Sequence, residues 1–421
     1  MVNFSLPFPE LYPIILDAIQ PTTRVFLVGG VVRDLILGRD PQDIDLVLTA
    51  EVRKVSRMIA NHFDGAVYAL DDERETMRVL VEFQGRQWKL DIALLRGEDL
   101  ENDLRTRDFT INAMALEINL SGKPNLIDLL GGRNHLQTQV IEACSTTSVI
   151  DDPIRIVRAE RLAIRLGFKI TESTEQQMQV AIIGFRSVSG ERQRDEIFKL
   201  LMLPDSQHGL HHFVELKLFS QLFPVFDVSK VHQVGKFQEF IAELRDPHAQ
   251  EYLKSTLNED RSIHSLICVS LLLKGGTNAI VECCEYYSLS NRERTFLERI
   301  RDGLAFVGDV GKSESYSPRE IYRFFQLTGD AGVSVCLIHL ALWNETKNSQ
   351  ALPSLINAYF NESKRYMDVI PLLDGNDLIC TFHLKPGPKF RELLESLKEA
   401  QVMGMVTNRT EAESFISQLL K

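Results

Sequence analysis

The sequence predicts an α+β protein, with an α/β head near the amino terminus and an all-helical remainder. Four runs are β-rich: Val25–Val28, Ile44–Leu48, Met77–Phe83 and Trp88–Leu94. Helical patterns at Val31–Leu37 and Val52–Phe63 alternate with these strands. After Ile150 the strand signals fade, and helical periodicity with capping residues continues to the end of the chain.

Composition sets broad limits. A length of 421 residues is enough for two to four domains with ample core. The net charge of −11 argues mildly against a nucleic-acid partner, although it says nothing of how charge is distributed. No apolar run approaches the ~20 residues of a membrane span, and the six cysteines form no Cys-x-x-Cys pair. We therefore expect a cytoplasmic protein without a membrane segment.

The region of the first two strands carries the strongest chemical signal. A short strand leads into Gly29 and Gly30, and Asp43 and Asp45 follow on the next strand. Because side chains alternate along a strand, the two aspartates project on one side, where they can hold Mg²⁺. Glycines let the backbone approach a ligand closely. An isolated Asp-x-Asp is more often a solvated strand end, but the combination favours transfer of a phosphoryl or nucleotidyl group.

The order of these residues resembles the class II tRNA nucleotidyltransferases and their relatives, the bacterial poly(A) polymerases. Their hallmark is Gly-Gly-x-Val-Arg-Asp, a short leucine-rich stretch and Asp-x-Asp; residues 29–34, 35–38 and 43–45 match these parts. The resemblance implies that Asp43 and Asp45 are catalytic and bind Mg²⁺, and that Gly29, Gly30 and Arg33 bind the nucleotide.

The resemblance also implies a division of the chain. We expect a catalytic nucleotidyltransferase head over residues 1–140 and a helical neck with the nucleotide-selecting helix over residues 141–215. A helical body over residues 216–365 and a helical tail that binds tRNA over residues 366–421 complete the prediction.

Asp91 lies in an apolar run, where an unpaired carboxylate is costly. Two structural explanations are open: a strand-end position that reaches water, or an ion pair with Arg96. The alternative makes Asp91 a third catalytic carboxylate beside Asp43 and Asp45, as in related nucleotidyltransferase folds.

Residues 103–115 form a second motif. On its own the stretch is typical of a capped helix start, but it also resembles the family's Arg-Arg-Asp followed by Phe-Thr-x-Asn-Ala. Arg107, Asp108 and Asn112 match that motif, which is associated with the sugar and phosphates of the nucleotide. The first arginine of the pair is replaced by Thr106, and Arg105 lies one position too early.

A basic helix follows near residue 152. Asp152 before a proline indicates a helix N-cap, and at ~100° per residue four arginines fall within roughly 120° of arc. These are Arg155, Arg158, Arg161 and Arg165. They form either a solvated face or the wall of an anionic cleft.

The family reading of this helix is more specific. Relatives carry Glu-Asp-x-x-Arg here, and its Asp and Arg pair with the incoming base in place of a nucleic-acid template. The resemblance gives these roles to Asp152 and Arg155, with Arg158 as a further base or phosphate contact. Asp151 replaces the usual Glu.

These features predict a template-independent enzyme that uses CTP, and possibly ATP, to extend the tRNA 3′ end and releases pyrophosphate. CCA-completing relatives carry a flexible loop between the Asp91-type strand and the second motif, whereas Arg96 runs almost directly into Asp103. We therefore favour CC addition. The alternatives are a CCA- or A-adding enzyme and, further off, a poly(A) polymerase or a non-catalytic RNA-binding protein.

Overall fold

The computed structural model describes residues 6–41, 43–119, 124–258, 261–275, 278–310, 315–343 and 351–420. The chain divides into two compact units, residues 1–189 and 190–421. The first is α/β and the second is helical, so the predicted fold class is confirmed. The finer division into head, neck, body and tail stays a prediction.

The first unit is built on a seven-stranded mixed sheet of order β3-β4-β5-β2-β1-β6-β7. The strands are β1 Val25–Val28, β2 Asp43–Leu48, β3 Ala66–Asp71, β4 Thr76–Phe83, β5 Arg86–Leu94, β6 Ala115–Ile118 and β7 Asn125–Ile127. Strands β2 and β5 pair in parallel, and the other neighbours pair antiparallel. All four predicted strands are present. The edge strand β3 has no buried residue, so it lacks the apolar alternation by which a strand is predicted.

Among the described residues of this unit, eight α-helices lie around the sheet or follow it: α1 Leu11–Ala18, α2 Gly30–Ile36, α3 Val52–His62, α4 Leu100–Arg105, α5 Gly132–Thr138, α6 Ser148–Asp151, α7 Arg155–Leu166 and α8 Glu172–Ala181. A short parallel pair, β8 Val140–Ile141 and β9 Lys169–Ile170, lies among the last of them. Two helix starts differ from the predictions. Helix α4 is capped by Asp99 and ends at Arg105, within the second motif, and α7 is preceded by Ile154 at its N-cap, not Asp152.

Apolar packing places α4 over the sheet. Val47 projects on the same face of β2 as Asp45, because strand side chains repeat every second residue. It belongs to a buried cluster that also contains Phe26 and Val28 of β1 and Leu104 of α4. The residues that follow α4 are thereby held close to the carboxylates of β2.

In the part that the structure describes, the regular structure of the second unit is helical apart from a two-stranded pair, β10 Thr256–Asn258 and β11 Arg261–Ser262. Its helices are α9 Gly190–Leu201, α10 Ser206–Glu215, α11 Phe219–Leu222, α12 Val231–Glu243, α13 Pro247–Lys254, α14 Ile263–Leu272, α15 Ala279–Tyr286, α16 Asn291–Val310, α17 Pro318–Thr328, α18 Gly332–Trp343, α19 Leu352–Asn361, α20 Ser363–Tyr366, α21 Gly375–Cys380, α22 Pro388–Val402 and α23 Arg409–Leu419.

The segment Pro318–Trp343, which contains α17 and α18, is long and apolar enough to cross a membrane by length and composition alone. In its most apolar window, 61% is buried inside the unit. Buried core helices of soluble proteins pass the same test, so this segment gives only weak evidence for a membrane span.

A partly buried histidine in the second unit links the unit's stability to pH. Burial lowers the pKa of His264 on α14 to about 4, from 6.5. Between these values the unfolded chain binds a proton that the folded chain does not, so stability falls as pH drops through this window. We predict that His264→Leu flattens the dependence of the unfolding free energy on pH between 6.5 and 4. Urea unfolding at several pH values measures this dependence. His208→Leu, at an exposed histidine, is the matched control and should leave the slope unchanged.

Candidate active site

A cavity of about 290 Å³ opens in the first unit. It is lined by Gly29, Gly30, Asp45, Val47, Ala93, Arg96, Asp103, Arg107, Asp108, Asn112, Arg155 and Arg158. The strand with the carboxylate, the second motif and the arginine helix therefore meet at one cleft. Four of the residues predicted for the site, namely Arg33, Asp43, Asp91 and Asp152, lie outside this lining.

Gly29 makes the space between opposite charges in the cleft. It follows β1 directly and has φ +76°, a conformation that favours glycine. A Cβ atom at this position would lie 3.1 Å from Asp45 Oδ2 and 3.6 Å from Arg107 Nη1. The missing side chain thus leaves room for a ligand that contacts both the carboxylate and the guanidinium.

Strand register builds a row of charges beside Gly29. Asp45 on β2 is paired with Asp91 on β5, and Asp91 is paired with Arg78 on β4, so the three side chains project from one face of the sheet. Arg78 Nε and Nη2 donate to the two Asp91 oxygens, each at 2.7 Å. This pairing replaces both structural explanations that the sequence suggested for Asp91, an ion pair with Arg96 and a solvated strand end.

Unlike Asp91, Asp45 has no arginine paired with it in this row of side chains. Burial, then the negative charges of Asp91 and Asp43, raise its pKa to about 6, and Arg107 and Lys89 only partly oppose the shift. A carboxylate with a raised pKa at an open cleft is stabilised by any cation that approaches it.

Asp43 lies nearer to solvent. Its side chain is 50% exposed, and Lys89 Nζ is 3.2 Å from Asp43 Oδ2. The two aspartates share a face of β2, as predicted, but only Asp45 lines the cleft.

A divalent cation fits this arrangement. Among the residues that the structure describes, no group of three or more His, Cys, Asp or Glu side chains is placed to enclose a metal ion. Mg²⁺ is commonly held by one or two carboxylates together with substrate phosphates and waters. The under-neutralised Asp45, with Asp43 on the same strand face, provides a donor set of that kind.

Arg107 is held in place by a carboxylate that sequence reasoning missed. Asp103 is buried, and its Oδ2 accepts from Arg107 Nε at 2.9 Å and Nη2 at 2.8 Å. Its Oδ1 accepts from the Arg96 amide at 3.2 Å. The i, i+4 spacing of Asp103 and Arg107 could have predicted this ion pair from the sequence. Arg105, by contrast, pairs with Glu101 in solvent, so it does not replace the missing arginine of the motif.

A second network joins the glycine turn to the motif. Arg33 is buried, donating from Nε to Asp34 at 2.8 Å and from Nη1 to Asn112 Oδ1 at 2.7 Å. Asn112 in turn donates to Asp108 Oδ1 at 3.3 Å. Arg33 therefore supports the floor of the cleft beneath Gly30, where its Nη2 would be 3.4 Å from an added Cβ atom.

Asp108 is a buried ionised group. Burial alone would raise its pKa, but Arg158, the Phe109 amide, Arg155 and Asn112 outweigh it and lower the pKa below the ordinary value. Arg158 Nη1 lies 3.4 Å from Asp108 Oδ2. The carboxylate stays negative at neutral pH and holds Arg158 at the wall of the cleft.

Arg155 fastens α7 to the second motif. Its Nη1 donates to the Arg107 carbonyl at 2.9 Å and to Ser148 Oγ at 2.7 Å, and its Nη2 donates to the Thr106 carbonyl at 2.8 Å. Its Nε lies 3.9 Å from Asp152 Oδ2. The guanidinium is largely engaged with main-chain carbonyls, so direct base reading by Arg155 requires an exchange of some of these bonds.

Comparison with known proteins agrees with this geometry. The family described as "Poly A polymerase head domain" matches residues 25–142, and that described as "Probable RNA and SrmB- binding site of polymerase A" matches residues 167–229. A CC-adding tRNA nucleotidyltransferase of Halalkalibacterium halodurans is 32% identical over 94% of this chain and 93% of its own length. The chain belongs to the tRNA nucleotidyltransferase family. Its members are enzymes that add nucleotides to tRNA 3′ ends and generally depend on divalent metal ions.

Other relatives of this tRNA nucleotidyltransferase differ in the nucleotide that they add. A CC-adding enzyme of Geobacter sulfurreducens is 28% identical over 93% of this chain and 91% of its own length. An A-adding enzyme of Deinococcus radiodurans is 28% identical over 93% of this chain and 94% of its own length. The solved structure of a CCA-adding enzyme in apo form I has the same fold, with a TM-score of 0.69 and 22% identity over 97% of this chain and 96% of that one.

The Asp103 clamp makes a prediction about nucleotide binding. Asp103→Asn removes the charge that orients Arg107, and charge-assisted hydrogen bonds contribute about 1.5–3 kcal/mol. We expect KM for the nucleoside triphosphate to rise about tenfold or more, as measured by steady-state incorporation. Glu101→Gln, which breaks the solvent-exposed pair with Arg105 on the same helix, should leave KM unchanged. Equal effects of the two variants would contradict a specific role for Asp103.

Proposed function

We propose that this tRNA nucleotidyltransferase adds two C residues to the tRNA 3′ end from CTP, releases pyrophosphate and then stops. The observation that supports this choice is the connection between β5 and α4, which comprises residues 95–99 alone. A short connection suits an enzyme whose pocket keeps one shape. A pocket that must change from C to A selection needs a segment that can move.

The connection is also tied down along its length. The Leu95 amide donates to the Leu48 carbonyl at 2.9 Å, and the Arg96 amide donates to Asp103. Gly97 has φ +76°, and an added Cβ atom would lie 2.9 Å from Asn102 Cβ. Asp99 caps α4 by accepting from the Asn102 amide at 2.9 Å. Movement of this segment would break several of these contacts at once.

Different site residues would bind the triphosphate and select the base. Arg107 and Arg158 would contact the triphosphate, and Gly29 and Gly30 would let it approach the backbone. Asp152 and Arg155 would select the base, with Arg155 exchanging a carbonyl of the second motif for the base edge. The 3′-hydroxyl of tRNA would attack the α-phosphorus in line, and pyrophosphate would leave toward the arginines.

Asp45 and Asp43 would hold Mg²⁺ in this scheme. When bound, the ion supplies positive charge that lowers the pKa of the attacking hydroxyl and neutralises the leaving pyrophosphate. Asp91, ion-paired with Arg78, would act indirectly, because its negative charge raises the pKa of Asp45.

Alternative activities remain testable. A- and CCA-adding relatives match over the same length, so the choice of nucleotide rests on the connection between β5 and α4. A poly(A) polymerase would extend a general RNA with ATP. A non-catalytic RNA-binding protein would not need the intact carboxylates and the open cleft described above. We also propose that the enzyme acts in the cytoplasm, where its substrates are made.

The first test is incorporation of nucleotides into a tRNA transcript that lacks CCA. With CTP alone we expect two additions, and with CTP and ATP together the product should still end at CC. Resolution of the products on a sequencing gel measures both. Efficient addition of A after CC, or addition of A to a tRNA that already ends in CC, would refute CC specificity.

The second test concerns the carboxylates. We expect Asp45→Asn and Asp43→Asn each to lower the single-turnover rate of C addition by about 10³-fold or more, because the metal-dependent stabilisation of the transition state is lost. Affinity for tRNA, measured by filter binding, should be nearly unchanged. Asp40→Asn is the control, since Asp40 pairs with Arg86 away from the cleft. Near-normal rates in Asp45→Asn would disprove the metal site.

A further inference from the structure

One arginine of the cleft has no role in the scheme above. Arg96 is exposed and lines the cavity, in the connection between β5 and α4. The sequence suggested that it might pair with Asp91, but that carboxylate is taken by Arg78. Among the residues that the structure describes, the Arg96 guanidinium forms neither an ion pair nor a hydrogen bond.

The main chain of Arg96 is nevertheless fixed. Its amide donates to Asp103 Oδ1 at 3.2 Å, and the Leu95 amide before it donates to the Leu48 carbonyl at 2.9 Å. The same Asp103 carboxylate clamps the side chain of Arg107 through its other oxygen. One buried acid therefore sets the positions of two arginines, by the main chain of the first and by the side chain of the second.

The other three arginines of the lining are already engaged. Arg107 is held by Asp103, and Arg158 Nη1 lies 3.4 Å from Asp108 Oδ2. Arg155 donates to main-chain carbonyls of the second motif. An incoming anion must share these guanidinium groups with their present partners. The remaining arginine of the lining can offer all five of its N–H donors.

Strand register shows where Arg96 stands relative to the carboxylates. On the cleft face of the sheet, the row after Asp45 and Asp91 is formed by Val47 and Ala93, which both line the cavity. Arg96 follows Ala93 by three residues, so at about 3.3 Å per residue its Cα atom lies up to about 10 Å farther along the chain. An apolar floor thus separates a cation-attracting end of the cleft from a free guanidinium.

A nucleoside triphosphate with a bound cation suits two such ends. Its α-phosphate has to lie near the cation, because that is where the 3′-hydroxyl attacks. The two phosphates beyond it need positive charge of their own. A guanidinium matches a phosphate with two parallel hydrogen bonds, and one without a competing carboxylate can give both of them to the ligand.

We propose that Arg96 is a further nucleotide-binding residue whose guanidinium contacts the β- and γ-phosphates that leave as pyrophosphate. In the reaction the 3′-hydroxyl oxygen bonds to the α-phosphorus and its proton passes to water. The bond from the α-phosphorus to the bridging oxygen breaks, and its electron pair goes to pyrophosphate. Arg96 meets the charge that grows there. The inference rests on the proposed function only in that pyrophosphate is the product, and it holds whichever nucleotide is added.

The test compares two ligands that share no phosphate position. Arg96→Gln removes the charge and keeps the main-chain amide that Asp103 accepts from. We expect Kd for pyrophosphate to rise about tenfold and Kd for CMP, which lacks the β- and γ-phosphates, to stay unchanged. Isothermal titration calorimetry of the full chain with Mg²⁺ and without tRNA measures both. Steady-state KM for CTP should rise with Kd for pyrophosphate.

Two variants serve as matched controls. Arg96→Lys keeps the charge without the planar fork and should recover part of the affinity for pyrophosphate. Arg105→Gln removes an exposed arginine of α4 that pairs with Glu101 outside the lining, and it should leave both dissociation constants at wild-type values.

Four results would overturn the proposal. The first is an unchanged Kd for pyrophosphate in Arg96→Gln, and the second is an equal rise for CMP, which would place the contact on the nucleoside side of the ligand. The third is an equal loss in Arg105→Gln, which would indicate a general effect of charge. The fourth is a wild-type protein that does not bind pyrophosphate. Because no tRNA is present, a wild-type protein that binds pyrophosphate through Arg96 but fails to add C would refute only the proposed function.

Discussion

The pairing of β2 with β5 is the constraint on which the rest of the cleft depends. Because the strands are parallel and in this register, Asp45 stands directly beside Asp91. The β4–β5 hairpin then sets Arg78 on the other side of Asp91, which neutralises one carboxylate of the two. A slip of one residue would turn Asp45 to the opposite face of the sheet. The charge that a cation must compensate is therefore fixed by hydrogen bonds between strands and not by any loop.

The opposite wall depends on two buried clamps. Asp103 holds the guanidinium of Arg107, and Arg155 holds the main-chain carbonyls of Thr106 and Arg107. The first clamp orients a side chain and the second joins α7 to the segment that carries it. Buried polar groups of this kind are costly unless every member is paired, so they tolerate few alternative arrangements. Positive charge is thus held facing Asp45 at a set distance before any substrate arrives.

Much of this arrangement could be predicted from the sequence. The strands that carry Asp45 and Asp91 alternate clearly, and the glycine and aspartate spacing indicated the cleft. The partner of Asp91 could also have been predicted. A two-residue turn at Gln84–Gly85 fixes the register of the hairpin, because residues at equal distances before and after the turn lie opposite each other. This rule places Arg78 opposite Asp91. The bonds of Arg155 could not be predicted, since they join main-chain atoms almost fifty positions away whose location depends on the packing of Val47 against Leu104.

The net charge of the chain was a poor guide to its partner for a physical reason. Coulomb interactions between exposed charges fade over about 10 Å at moderate salt, so an approaching RNA responds to the local surface and not to a sum over 421 residues. The cleft is such a local surface, since its lining includes Arg96, Arg107, Arg155 and Arg158. A uniformly basic protein would bind RNA anywhere and would hold few 3′ ends at the cleft. Segregated charge of this kind favours productive orientation at the expense of total affinity.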